Sequence, residues 1–343
     1  MEDFLNPAYL ASFFILVGIY AIFTLGLNVH WGYTGIFNFG VAGFFAVGAY
    51  TTAILTKQPA TGDYSEYIGG FGLPFVVGVL GAGVACAILA FIIGIPTLRL
   101  REDYLAIVTI GVAESLRRVF LNEDWLANGP NGMIGIPQPL HGLVDPADYN
   151  YVFLPIVAVI LLLVYLAVER GIRSPWGRVL RAIREDEVTA QASGKDIFAF
   201  KMQAFVFGAF IMGIGGAVYA HHIRAITPDT FTPFFGTFLI WVMLIVGGSG
   251  NNKGAILGSL VIWFIWSRSD WLLNHVPADQ QARMDYSRNL LIGLLIVILV
   301  LVRPKGILGE EKRVSVYVDK EHPSEQAHLA AKASAGEDAG DSS

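Results

Sequence analysis

Nine runs of apolar residues, separated by shorter polar connections, set the pattern of this chain. They cover residues 8–29, 32–56, 71–95, 104–120, 151–168, 202–220, 235–246, 255–271 and 289–302. About 20 apolar residues in a helix cross the ~30 Å hydrocarbon layer of a bilayer. The runs therefore predict an all-α, polytopic integral membrane protein of about nine transmembrane segments. They are not equivalent. The second contains Gly32, Gly35, Gly40, Gly43 and Gly48 with Asn38 among them, a composition that resists a continuous helix. The seventh and ninth are short enough to be tilted or to reach only part of the way through the layer.

The most polar interruption is the insert 169–201, between the fifth and sixth runs. Within it Trp176, Val179, Leu180 and Ile183 recur at i, i+3, i+4 and i+7, while Arg178, Arg181 and Arg184 fall mostly on the opposite side. That spacing predicts an amphipathic helix lying along a membrane face. Ser174 followed by Pro175 reads as its start, with the serine as cap and the proline in the first helical position. The acidic run Glu185, Asp186 and Glu187 opens a second short helix, which Gly194 can end in a left-handed conformation. Asp196 is placed to cap the helix that continues into the sixth run. Two roles are open to this element: a handle docked into a soluble motor, or an anchor whose arginines meet anionic headgroups.

Composition agrees with a membrane protein: 54% of the residues are hydrophobic and only 15% charged, against about a quarter charged in soluble domains. The 38 glycines suit helices that pack closely in lipid. The net charge of −5 decides little, but its distribution does. With the insert on the cytoplasmic side, 16 of the 23 lysines and arginines lie on that side and the loop 121–150 has none. The prediction is an outside N-terminus and a cytoplasmic C-terminus. Met1-Glu2-Asp3 is acidic where a cleavable signal needs a basic region. Residues 1–313 read as the transmembrane domain, and 314–343, rich in Ala, Ser, Glu, Lys, Gly and Asp, as a disordered cytoplasmic tail.

Catalytic chemistry is poorly represented. The single cysteine, Cys86, precludes a disulfide framework or a thiolate zinc site within one chain. The one Gly-Lys pair, Gly194-Lys195, has Thr189 where a phosphate-binding loop needs glycine and Asp196 where it needs Ser or Thr. ATP must then be bound elsewhere. No H-E-x-x-H or G-x-S-x-G sequence occurs. His221 and His222 point about 100° apart on a helix, which fits placement at an interface better than a metal pair. The 128–132 stretch, Asn-Gly-Pro-Asn-Gly, reads as a turn, on the side where an extracytoplasmic binding protein would approach.

For a solute path the candidates are Asn38, Gly40 and Glu114. Asn38 and Gly40 mark either an unwound segment whose backbone meets a zwitterionic solute, or close helix packing with the asparagine bonded to a neighbour. Glu114 is an ionisable group in an apolar run, where a charge is costly. Arg117 and Arg118 at i+3 and i+4 offer it an intrahelical pair instead.

Taken together, GLNVHWGYTGIFNFGVAGFFAVGAY, LRLREDYLAIVTIGVAESLRRVF, NGPNGMIGIP, GRVLRAIREDEVTAQASGKD and RPKGILG resemble the second permease subunit of bacterial branched-chain amino acid ABC importers. The resemblance runs in order from about Leu25 to Leu308. It implies a subunit of the bacterial inner membrane that works with a homologous permease, two ATPase subunits holding ATP and Mg, and an extracytoplasmic binding protein. It also implies a coupling helix with a Glu-Ala-Ala pattern followed by glycine. The counterpart here is Glu187, Ala190 and Gly194, with Arg184 one turn earlier; Val188 and Thr189 stand where small alanines are typical. The implied cargo is branched-chain or related amino acids, while related importers carry urea or short amides. An ion-gradient-driven secondary carrier is the rival class.

Overall fold

A computed structural model describes residues 6–58, 68–146, 148–273, 293–294, 301 and 306–310. Most of the expected ninth segment, 289–302, and the whole tail 314–343 lie outside the described residues. The chain divides into a unit of residues 1–309 and a second of 310–343, and the description below concerns the first.

Among the described residues, four helices are long and apolar enough to cross a membrane. They are α1 (Pro7–Leu27) with the π turn Asn28–Gly32 that extends it, α3 (Phe75–Thr97), α6 (Tyr149–Arg173) and α9 (Ile197–Ile223). Between them lie α2 (Val41–Thr56), α4 (Glu102–Asn122) and the short α5 (Asp124–Ala127), α7 (Pro175–Glu185) and α8 (Glu187–Ala192). The π turn Phe234–Phe238, α10 (Leu239–Gly247) and α11 (Asn252–Leu273) follow α9.

The count differs from nine. The described residues hold four crossing helices, or five if α10 and α11, bent by 119°, form one broken span. The bend sits at Gly248 and Gly250, whose φ of +112° and +78° lie where glycine alone is comfortable. The second apolar run is likewise not one helix. It unwinds over residues 35–40, with Gly35 at φ +76°, and resumes as the α-helix Val41–Thr56.

α1 is the centre of the bundle: from Ile15 to Leu27 all but Leu16 are buried, as an element apolar all round must be. α3 and α6 lie outside it and expose purely apolar faces, Leu80, Val84, Ile88 and Phe91 on one and Val159, Leu162, Leu163 and Leu166 on the other. Lipid satisfies such faces. Without a hydrophobic drive between helices in lipid, close packing holds the interior. A Cβ at Gly48 of α2 would lie 2.5 Å from the Gly213 carbonyl of α9, and one at Gly213 would lie 2.6 Å from the Ala82 carbonyl of α3.

The loop after α4 is ordered. Asn128, φ +63°, turns the chain and its Nδ2 donates to the Gly132 carbonyl at 3.0 Å, so the 128–132 stretch is the turn its sequence indicates. The strand β1 (Met133–Ile134) then pairs antiparallel with β2 (Ala225–Ile226) just after α9.

Candidate functional site

The charged insert folds as two short helices at one end of the bundle. Leu180 and Ile183 of α7 are buried and Trp176 is half-buried, its Nε1 donating to Gln203 Oε1 at 3.0 Å. Ser174 occupies the cap position, but its hydroxyl donates back to the Gly171 carbonyl at 2.6 Å instead of accepting from the helix. Asp186 caps α8, accepting from the amides of Val188 and Thr189 at 2.8 and 3.0 Å. The Thr189 amide, then its hydroxyl, hold the Asp186 carboxyl below its ordinary pKa. A depressed carboxyl pKa favours the fold above the unfolded value and loses that contribution as pH falls through the folded one. The protection factors of amides 188–192 against hydrogen exchange are therefore expected to fall at acid pH, and Asp186→Asn should flatten that dependence.

Around α8 the candidate coupling residues separate by role. Ala190 is buried, and Glu187 pairs with Lys201 of α9. Val188 is 77% exposed. Gly194 has φ +78° and open space where a Cβ would sit, and Asp196 accepts from the Ala199 amide at 3.0 Å to start α9. A polar cavity of about 470 Å³ opens beside this element, lined by Arg99, Arg101, Asp103, Glu187 and Lys201.

Arg184 turns inward. Its guanidinium donates to the Gly32 carbonyl, and its stem packs on Gly35, where a Cβ would be 3.3 Å from Arg184 Cγ. Arg181 lies 5.7 Å over the Tyr33 ring. Beneath these contacts is a buried amide cluster. Asn28 Nδ2 donates to Asn252 Oδ1 at 3.0 Å, and Asn28 Oδ1 accepts from the Gly250 amide at 2.9 Å. Asn252 Nδ2 donates in turn to Glu169 Oε2 of α6 at 2.8 Å. Residues 306–309 close over the bend through Ile307 N to Val246 O at 2.8 Å and Asn251 Nδ2 to Gly309 O at 3.0 Å. None of Asn28, Asn252 and Glu169 stands out in the linear pattern; a buried asparagine with every hydrogen-bonding group to satisfy is the one signal the sequence carries.

The unwound segment 35–40 is held by protein groups. Asn38 is fully buried; its Nδ2 lies 3.0 Å from His30 Nδ1, its Oδ1 accepts from the Gly40 amide at 2.8 Å, and its carbonyl accepts from Trp241 Nε1 at 3.0 Å. His30 Nε2 lies 2.8 Å from the Phe205 carbonyl, which can only accept, so that nitrogen carries the proton and Nδ1 receives the asparagine. Thr109 Oγ1 accepts from the Phe39 amide at 3.0 Å. A Cβ at Gly40 would lie 2.8 Å from the Thr109 carbonyl. A narrow crevice between α2, α3 and α4 is lined by Asn38, Gly40, Thr109 and Phe205.

Glu114 is not in that crevice. It pairs with Arg117 at 2.9 Å and Arg118 at 3.2 Å on its own helix, and Arg117 reaches Asp229 at 3.4 Å. His221 is buried, its Nδ1 2.6 Å from the Pro137 carbonyl and its Nε2 3.0 Å from Thr52 Oγ1, while His222 stacks on Phe153. The two rings serve different neighbours.

Comparison with known proteins bears on the whole chain. The family model described as branched-chain amino acid transport system, permease component, matches residues 9–300. The chain is 32% identical to the high-affinity branched-chain amino acid transport system permease protein LivM of Escherichia coli, over 85% of this chain and 68% of that one. It is also 32% identical to a probable branched-chain amino acid transport permease protein LivM of Methanocaldococcus jannaschii, over 86% and 91%. A nucleoside ABC transporter permease protein, NupC of Lactococcus lactis, is 24% identical over 83% and 89%. No solved structure matches the chain.

Proposed function

The chain belongs to the permease component family of branched-chain amino acid transport systems, and from that premise we propose that it is the membrane subunit of an ATP-driven importer of branched-chain or related amino acids. Separate ATPase subunits bind ATP and Mg, and an extracytoplasmic protein delivers the solute. The observation that carries this reading is the α7–α8 element. It is short, capped at Asp186, open around Gly194, and anchored inward by Arg184. A motor that grips such an element can move the membrane helices behind it. Arg184, Glu187, Ala190 and Gly194 are the coupling residues of this proposal, with the insert and the C-terminus cytoplasmic and the N-terminus outside.

Asn38 and Gly40 line the solute path in this reading, reached when the unwound segment exchanges its protein partners for the solute; Glu114 fixes α4 through its arginines. In this reading the homologous permease packs against α4. The exposed side of α4 mixes apolar Ile107, Ile110 and Val119 with Arg118, and Gly111 and Ser115 on it are small enough for a close-packed helix. Because the one cysteine, Cys86, is buried, Gly111→Cys and Ser115→Cys alkylated with a thiol-reactive photo-cross-linker are expected to form adducts with the second permease in membranes, with no adduct from Leu162→Cys on the lipid face.

The decisive experiment is reconstitution of the assembled complex in liposomes. Solute uptake should require ATP and the binding protein, and the amino acid that most stimulates hydrolysis identifies the cargo. Uptake by this chain alone, driven by an ion gradient, would sink the proposal.

A further inference from the structure

Resting on that reading, we propose that the buried relay Arg184–Gly32–Asn28–Asn252–Glu169 is the route by which movement of α7 and α8 reaches the membrane helices. Four segments from three remote parts of the sequence meet there: the ends of α6 and α7, the π turn after α1, and the bend between α10 and α11. The fit leaves no slack. A Cβ at Gly32 would lie 1.9 Å from Asn28 Oδ1 and 2.5 Å from the Gly250 amide, so Gly32 is held between Arg184 on its carbonyl and the amide cluster behind it. Glu169 lies five positions before Ser174, so the relay returns to the base of the same insert and closes a ring around it.

The elements joined are those whose backbones are least committed. The π turn Asn28–Gly32, the unwound 35–40 stretch and the 119° bend at 248–251 depart from the regular α-helical hydrogen-bond ladder. Such interruptions absorb backbone rotation at smaller cost than an intact helix. The relay therefore connects the coupling element to the two places in the bundle that can change shape. Through Asn28 and the π turn it also reaches His30, whose Nδ1 holds Asn38, so a shift at Arg184 alters the register of the unwound segment. Arg184, Asn28, Asn252 and Glu169 act as positioning residues and touch no solute.

The test uses the complete transporter in proteoliposomes and reads solute moved per ATP hydrolysed. Arg184→Met removes the donor to Gly32 but keeps an apolar stem. Asn252→Ser is compatible with the start of α11, yet too short to reach both Asn28 and Glu169. Each is expected to lower uptake per ATP about tenfold with hydrolysis and assembly retained, and Arg184→Lys should restore most of it. A purely structural role would lower assembly, hydrolysis and uptake together, leaving the ratio unchanged, and that outcome overturns the relay. Loss of assembly in both variants and in Arg184→Lys overturns it as well. Uptake by the wild-type complex that needs no ATP would overturn both the relay and the function it rests on, whereas ATP-dependent uptake with an unaltered ratio in the variants overturns the relay alone.

Discussion

Gly194→Trp is expected to reduce ATP-driven uptake by about tenfold or more while the chain still assembles in the membrane. Gly194 has φ +78° and nothing within 4 Å of the position its Cβ would take. The backbone strain of an L residue there is about 1–2 kcal/mol, felt at the end of α8 and away from the bundle core. The indole therefore meets no wall of its own chain, and its bulk falls on whatever docks against the insert. Gly194→Asn is the control, since asparagine tolerates the left-handed region and adds little volume; it should transport nearly as the parent does. Uptake and hydrolysis undiminished in the tryptophan variant would remove α8 from the docking surface.

Gly213→Leu should act in the opposite place and destroy the fold instead of the coupling. Its Cβ would stand 2.6 Å from the Ala82 carbonyl and 2.8 Å from Cys86 Sγ, and Gly48 presses on its carbonyl from the other side. The Ala82 carbonyl is backbone and cannot rotate aside, and the short Cys86 side chain is itself fully buried, so the overpacking cost is at or beyond the usual ~1–3 kcal/mol. The expected result is a sharp fall in detergent-extracted, monodisperse protein and in its thermal midpoint. Gly142→Ala, at a position with open space, should change neither. A Gly213→Leu protein as stable as the parent would mean that α2, α3 and α9 do not cross as closely as described.

Both outcomes turn on glycines, yet only one of the two could be assigned its role from the chain alone. Gly194 follows an acidic cap and a short polar helix, and a glycine so placed ends a helix in a left-handed turn. Gly213 is one of several small residues in a long apolar run, and nothing local says which backbone it will touch. The same division holds for the polar groups. Glu114 with Arg117 and Arg118, and Asp196 with Ala199, are partners within four positions, where helical geometry alone brings them together. Asn28 with Asn252 and Arg184 with Gly32 are 224 and 152 positions apart.

Hydrophobic runs of membrane-crossing length, the amphipathic insert with its Asp196 cap and terminal glycine, the failure of any nucleotide-binding motif, and the likeness to amino acid permeases were all determined by the sequence. These depend on periodicity within a few turns or on residue types in order, and a linear chain carries both. Tertiary structure alone decided that the seventh and eighth runs are two arms of one 119° bend, that the groups of Asn38 are bonded to His30, Gly40 and Trp241, and that Arg184 bears on Gly32. In a bundle whose surroundings offer buried polar groups no water, each must find its partner within the protein, and which partner it finds depends on how distant helices happen to cross.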